Sequence, residues 1–177
     1  MTPMLVSRMR PAYLLAAGML VSAFGFLLLS QMTSLMGVVG ASLIFSAGFT
    51  PVIALTTGLI VGAVPPEKTG AASALSETAA ELGGALGIAV LGSLGTFIYR
   101  SEMSGAIPAE VPVELARAAR STLVGAVDAA TLLPGDTGRA LLTLAREAFT
   151  SGFFAVAVLS AIGMLAAAIV TLTVLRN

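Results

Sequence analysis

Four stretches of this chain are each long and apolar enough to cross a lipid bilayer, and that constrains the fold more than anything else in the sequence. A hydrocarbon layer about 30 Å thick is crossed by about 20 apolar residues in a helix. The stretches run from about residue 11 to 31, 35 to 64, 71 to 99 and 149 to 175. Lipid offers the backbone no hydrogen-bonding partner, so each span closes its own bonds as an α-helix. Composition agrees, with 57% hydrophobic and 10% charged residues and a mean hydropathy of +1.01. A soluble domain carries roughly 25% charged residues. The expected fold is all-α: a polytopic membrane protein with four transmembrane helices and an amphipathic helical excursion, residues 100–148, between spans three and four.

The first apolar stretch is too long for a signal peptide and is followed by no small-x-small cleavage pattern, so it is expected to remain as a span. Arg8 and Arg10 precede it, and Pro11 suits a first helical turn. The connection at Ser34 is very short, which makes spans one and two an antiparallel hairpin. The next connection, Pro65-Pro66-Glu67-Lys68-Thr69-Gly70, ends the second helix at its prolines and offers Thr69 as a cap for the third. In the excursion, Leu115, Ala119, Leu123, Ala126 and Val127 share one face of an expected helix from Pro112 to Leu132. Leu133-Pro134-Gly135-Asp136 breaks it. Asp136 is the expected cap of a second helix that flows through Leu141, Leu144 and Phe149 into the fourth span.

The formal charge sums to zero, so no basic field exists to hold nucleic acid. The chain has no cysteine and no histidine. That excludes disulfides, thiolate and imidazole metal sites and histidine-based triads. No enzyme, metal or cofactor is expected.

Two acids interrupt the third span. Glu77 and Glu81 lie four residues apart, and carboxylates near a membrane are costly unless they work. Positions 77, 81, 84, 88, 92 and 95 share one helical face, reading Glu, Glu, Gly, Ile, Gly, Gly, with Ser73 extending it. Such a face suits a cavity or a close neighbour. Two carboxylates there can exchange protons or attract a cation, with Glu81 the deeper. The alternative is that both stand at headgroup level, because Leu82 to Ile98 supplies roughly 17 uncharged residues of its own.

Elsewhere the pattern speaks of packing. Gly58 with Gly62, and Gly83 and Gly84 with Gly87, suit close helix approach. Pro51 lies mid-span and is expected to kink the second helix. Arginine counting gives no firm orientation. Arg8, Arg10, Lys68 and Arg176 fall on one side, and Arg100, Arg117, Arg120, Arg139 and Arg146 on the other, interleaved with six acids.

Several blocks form a recognisable order. Arg-Met-Arg-Pro opens the first span, and Gly62-Ala63-Val64-Pro65 closes the second. Gly70-Ala71-Ala72-Ser73-Ala74-Leu75 and the run from Glu81 through Gly83, Gly84 and Gly87 to Ser93 fill the third, and Ala145-Arg146-Glu147-Ala148-Phe149 leads into the fourth. This closely resembles, over essentially residues 1–177, the C-terminal end of the fourteen-span drug/proton antiporters of the major facilitator superfamily. The resemblance implies spans eleven to fourteen of such a carrier. It places both termini and residues 65–70 in the cytoplasm and the excursion outside the cell membrane. It gives Glu77 and Glu81 a role in proton coupling or cation recognition, with lipophilic cations, protons and lipid as partners. Alternating access rocks one half of a carrier against the other. The chain is therefore expected to act with a missing carrier portion. The alternatives are a self-sufficient oligomeric small exporter and a non-transporting membrane interaction protein.

Overall fold

A proline or a polar cap marks each turn between the long helices. The computed structural model describes residues 11–32 and 34–175. Arg8, Arg10 and Arg176, which enter the charge count above, lie outside the described residues. Among the described residues six α-helices follow in order: α1 (Pro11–Gln31), α2 (Leu35–Gly62), α3 (Thr69–Ala106), α4 (Val113–Ser121), α5 (Leu123–Thr131) and α6 (Gly135–Leu175). Among the described residues α1, α2, α3 and α6 are the four helices apolar and long enough to span a membrane, with α3 entered through a short Pro66–Lys68 turn. The protein is an all-helical, multi-pass membrane protein.

The described residues cluster into two units: one up to Ala85 and from Ala157 onward, the other Leu86–Val156. In the first unit, α1 and α2 form the expected hairpin. Ser34 caps α2, its side chain accepting from the Gly37 amide at 3.2 Å. Ala12, Leu15, Ala16, Ala23 and Leu29 bury the inner stripe of α1. Phe26 packs on Phe45 with ring centroids 4.6 Å apart, and Phe45 stacks on Phe49 at 5.4 Å. Both separations suit aromatic pairing. The end of α6 also reaches α1, where the Thr171 hydroxyl lies 3.6 Å from the Met19 sulfur.

Two boundaries in this unit differ from the sequence expectation. The second helix stops at Gly62 rather than residue 64, with the Ala63 amide donating to Leu59 O at 3.1 Å and Ile60 O at 3.3 Å. Val64 precedes a proline, which disfavours helical backbone. Thr69 is not a cap. Its backbone is already helical (φ −56°, ψ −43°), and a single 3₁₀ turn, Pro66–Lys68, leads directly into α3. Pro65 holds the extended position before that turn, and Pro66 has the φ that a first helical residue needs.

In the second unit the excursion is a packed cap. Tyr99 and Met103 of α3, Ala119 of α4, Ala126 and Ala129 of α5, and Leu141, Ala145 and Ala148 of α6 make one small core. The single helix expected from Pro112 to Leu132 is broken. Thr122 is extended (φ −153°, ψ 155°), ends α4, and caps α5 by accepting from the Gly125 amide at 3.0 Å. The break leaves carbonyls at the end of α4 without helical donors. Side chains from α3 supply them: the Tyr99 hydroxyl donates to Ala119 O at 2.7 Å and the Arg100 Nε to Ser121 O at 3.5 Å. Asp136 is also not a cap. The Gly138 amide bonds Pro134 O at 2.9 Å, which puts Asp136 in the first turn of α6, ion-paired with Arg139. The helix then runs unbroken for 41 residues into the fourth span, as its pattern implies.

Candidate functional site

A carboxylate four residues from another on an α-helix stands on the same face, about 5–6 Å away. Glu77 and Glu81 are so placed on α3, and both are exposed. Neither enters an ion pair among the described residues. Among the described residues the ion pair is the exposed Asp136–Arg139 contact. No group of three or more acids, histidines or cysteines could hold a metal ion among the described residues. The uncharged run Leu82 to Tyr99 rises about 27 Å in a helix, slightly less than a hydrocarbon layer.

Among the described residues nothing packs against the glycines beside the glutamates. A Cβ added at Gly58, Gly62, Gly83, Gly84 or Gly87 would meet nothing within 4 Å. Of the most apolar window in the third span, 6% is buried, against 44% in α1. Pro51 sits inside a continuous α2 and removes the amide that would bond Ala47 O.

Close approach falls on residues the sequence reading did not single out for it. At the α1–α2 crossing, a Cβ on Gly48 would lie 2.6 Å from Gly18 O and 2.7 Å from the Ser22 amide nitrogen. One on Gly25 would lie 2.6 Å from the Phe45 amide nitrogen. Ser22 is fully buried there, its hydroxyl donating to Gly18 O at 2.9 Å and approaching Phe45 O at 3.3 Å. In the second unit a Cβ on Gly152 of α6 would lie 2.9 Å from Gly95 O of α3. The available signal was the small residues at helical spacing in α1: Gly18, Ser22 and Gly25.

A further feature also escaped the sequence reading. An open groove of about 700 Å³ follows α3 from Ile88 to Ser101 and is lined by Gly92, Ser93, Thr96 and Arg100. Thr96 returns its hydroxyl to Gly92 O at 2.8 Å, so it costs little in an apolar setting. The polar residues recur every three or four positions, a helical period that could have been read from sequence.

Comparison with known proteins adds what the geometry cannot. The chain is 37% identical over 166 residues to the multidrug efflux pump LfrA of Mycolicibacterium smegmatis, covering 92% of this chain and 32% of the pump. It is 33% identical over 177 residues to the tetracenomycin C resistance and export protein of Streptomyces glaucescens, covering 95% of this chain and 33% of that protein. It is 34% identical over 154 residues to the methyl viologen resistance protein SmvA of Salmonella typhimurium, covering 82% of this chain and 30% of that protein. The chain thus spans about a third of the length of the curated relatives it matches. No protein-family model matches it, and no solved structure does.

Proposed function

We propose, from the chain's homology to drug-efflux pumps of the major facilitator superfamily, that it forms the last four spans of a proton-coupled exporter of small lipophilic cations. The observation that carries this reading is the match to efflux proteins along most of the chain. What supports its division of labour is the bareness of the third span. A helix bearing two glutamates and a row of glycines is built for a close partner, and the described residues provide none at Gly83, Gly84 or Gly87. The remainder of a carrier is that partner. Alternating access needs two bodies that rock about a shared site, and four spans supply less than one of them.

In this reading both termini and the Pro66–Lys68 turn face the cytoplasm, and the excursion caps the outer side. Glu81, with Glu77 one turn away, loads a proton or holds a cation at the inner mouth. Lipophilic cations are the substrate class, since a carboxylate pair favours positive charge and one relative confers resistance to methyl viologen, a cation.

A chimera tests this. This chain replaces the homologous third of the S. typhimurium methyl viologen resistance protein, and methyl viologen export is measured in efflux-deficient cells. The chimera is expected to export, and the chain alone is expected not to. Export by the chain alone would make it a self-sufficient oligomeric exporter. A chimera that reaches the membrane without exporting would remove it from transport.

A further inference from the structure

The cap ends, on its membrane side, in an arginine-rich tip, and we propose that this tip docks on anionic phospholipid, with Arg100, Arg117 and Arg120 holding headgroup phosphates and Val124 entering the interface. This does not depend on the transport reading.

The height of the tip follows from its bonds. The uncharged run of α3 ends at Arg100, and that of α6 begins after Glu147. Tyr99 and Ala148 meet in one core, and Gly95 and Gly152 touch just below. The two helices therefore leave the hydrocarbon at the same level. The carboxyl end of α4 is bonded to that level through Tyr99 and Arg100, whose donors reach Ala119 O and Ser121 O. The chain reverses at Thr122 directly afterwards. Ser121 to Val124 consequently lies at the membrane surface.

The chemistry of the tip suits that place. Val124 is 70% exposed, and Val127, one turn on, is 41% exposed. Two bare valines beside a bilayer are an insertion edge. Arg100, Arg117 and Arg120 are all exposed, and none enters an ion pair among the described residues. Glu102, Asp128, Arg146 and Glu147 stand within about a turn of the same level, so four arginines oppose three acids. Glu114 lies at the far end of α4. The helix dipole accounts for the order of charge along α4 but not for Arg100, which belongs to α3. Basic side chains at this depth are drawn to anionic lipid.

The chain has no tryptophan and no cysteine, so one introduced probe reports alone. Val124→Trp is compared with Val113→Trp, at the distant end of α4, in vesicles of phosphatidylcholine with or without phosphatidylglycerol. Lipids brominated near the headgroup serve as quenchers. Val124→Trp is expected to emit further to the blue and to be quenched about twofold more strongly than Val113→Trp. Phosphatidylglycerol should deepen that quenching, and R117Q/R120Q should abolish the lipid dependence. A nitroxide on Ser121→Cys gives a second depth reading. Equal quenching at both positions overturns the proposal. So does quenching indifferent to phosphatidylglycerol, and so does blue emission that brominated lipid cannot quench, which would mean that protein covers the tip.

Discussion

The α1–α2 crossing and the amino-terminal half of α3 are both apolar, glycine-bearing rods, yet they use their glycines in opposite ways. In the crossing, Gly18, Gly25 and Gly48 bring two backbones together, and Ser22 is buried between them. In α3, a Cβ added at Gly83 or Gly84 would meet no other element within 4 Å among the described residues. The difference is topological. A connection of a few residues at Ser34 forces α2 back along α1, so the partner is supplied by the chain itself. Among the described residues nothing comparable returns along the glutamate-bearing face. A glycine in a span records a capacity for close approach. Whether the capacity is used within the chain depends on which helix lies opposite.

The largest expected effect breaks the comparison at its tight side. Gly48→Val drives a branched side chain into Gly18 O and the Ser22 amide, both backbone, so the helices must separate. A loss of about 3 kcal/mol is expected, measured by steric trapping of the chain in micelles. An unchanged stability would mean that the crossing is not closely packed. Gly84→Ala has the opposite sign. Glycine in a helix interior costs about 0.5–1 kcal/mol relative to alanine, and no neighbour clashes, so the chain alone should gain about that much by the same assay. A loss instead would reveal a neighbour on α3. Ser22→Ala is the finest probe. Membrane hydrogen bonds between side chains and helices average about 0.6 kcal/mol, and removing this one should cost about that.

The lengths and order of the spans were legible in the sequence because lipid enforces them. Ser34 and the proline pair at 65 and 66 punctuate the first three helices as their chemistry dictates. The break at Thr122 was not legible from hydrophobic period. Leu115, Ala119 and Leu123 keep helical spacing across it, because α4 and α5 both turn their small residues to one core. The capping chemistry of Thr122 was the signal to weigh. The glutamate face could be drawn from the 3.6-residue period alone. The Ser22–Gly48 contact could not, since it depends on the register between two helices, which the turn at Ser34 sets.

Proton coupling through the third span is the central claim, and flux under a pH gradient tests it most directly. The chimera carrying this chain is reconstituted in vesicles, and methyl viologen movement is followed for the parent and for Glu81→Gln. The account predicts a loss of about tenfold or more, equivalent to about 1.4 kcal/mol of coupling, with methyl viologen binding retained. Gradient-driven flux that is the same with glutamine at position 81 would contradict it and leave both carboxylates as solvated groups at the membrane edge.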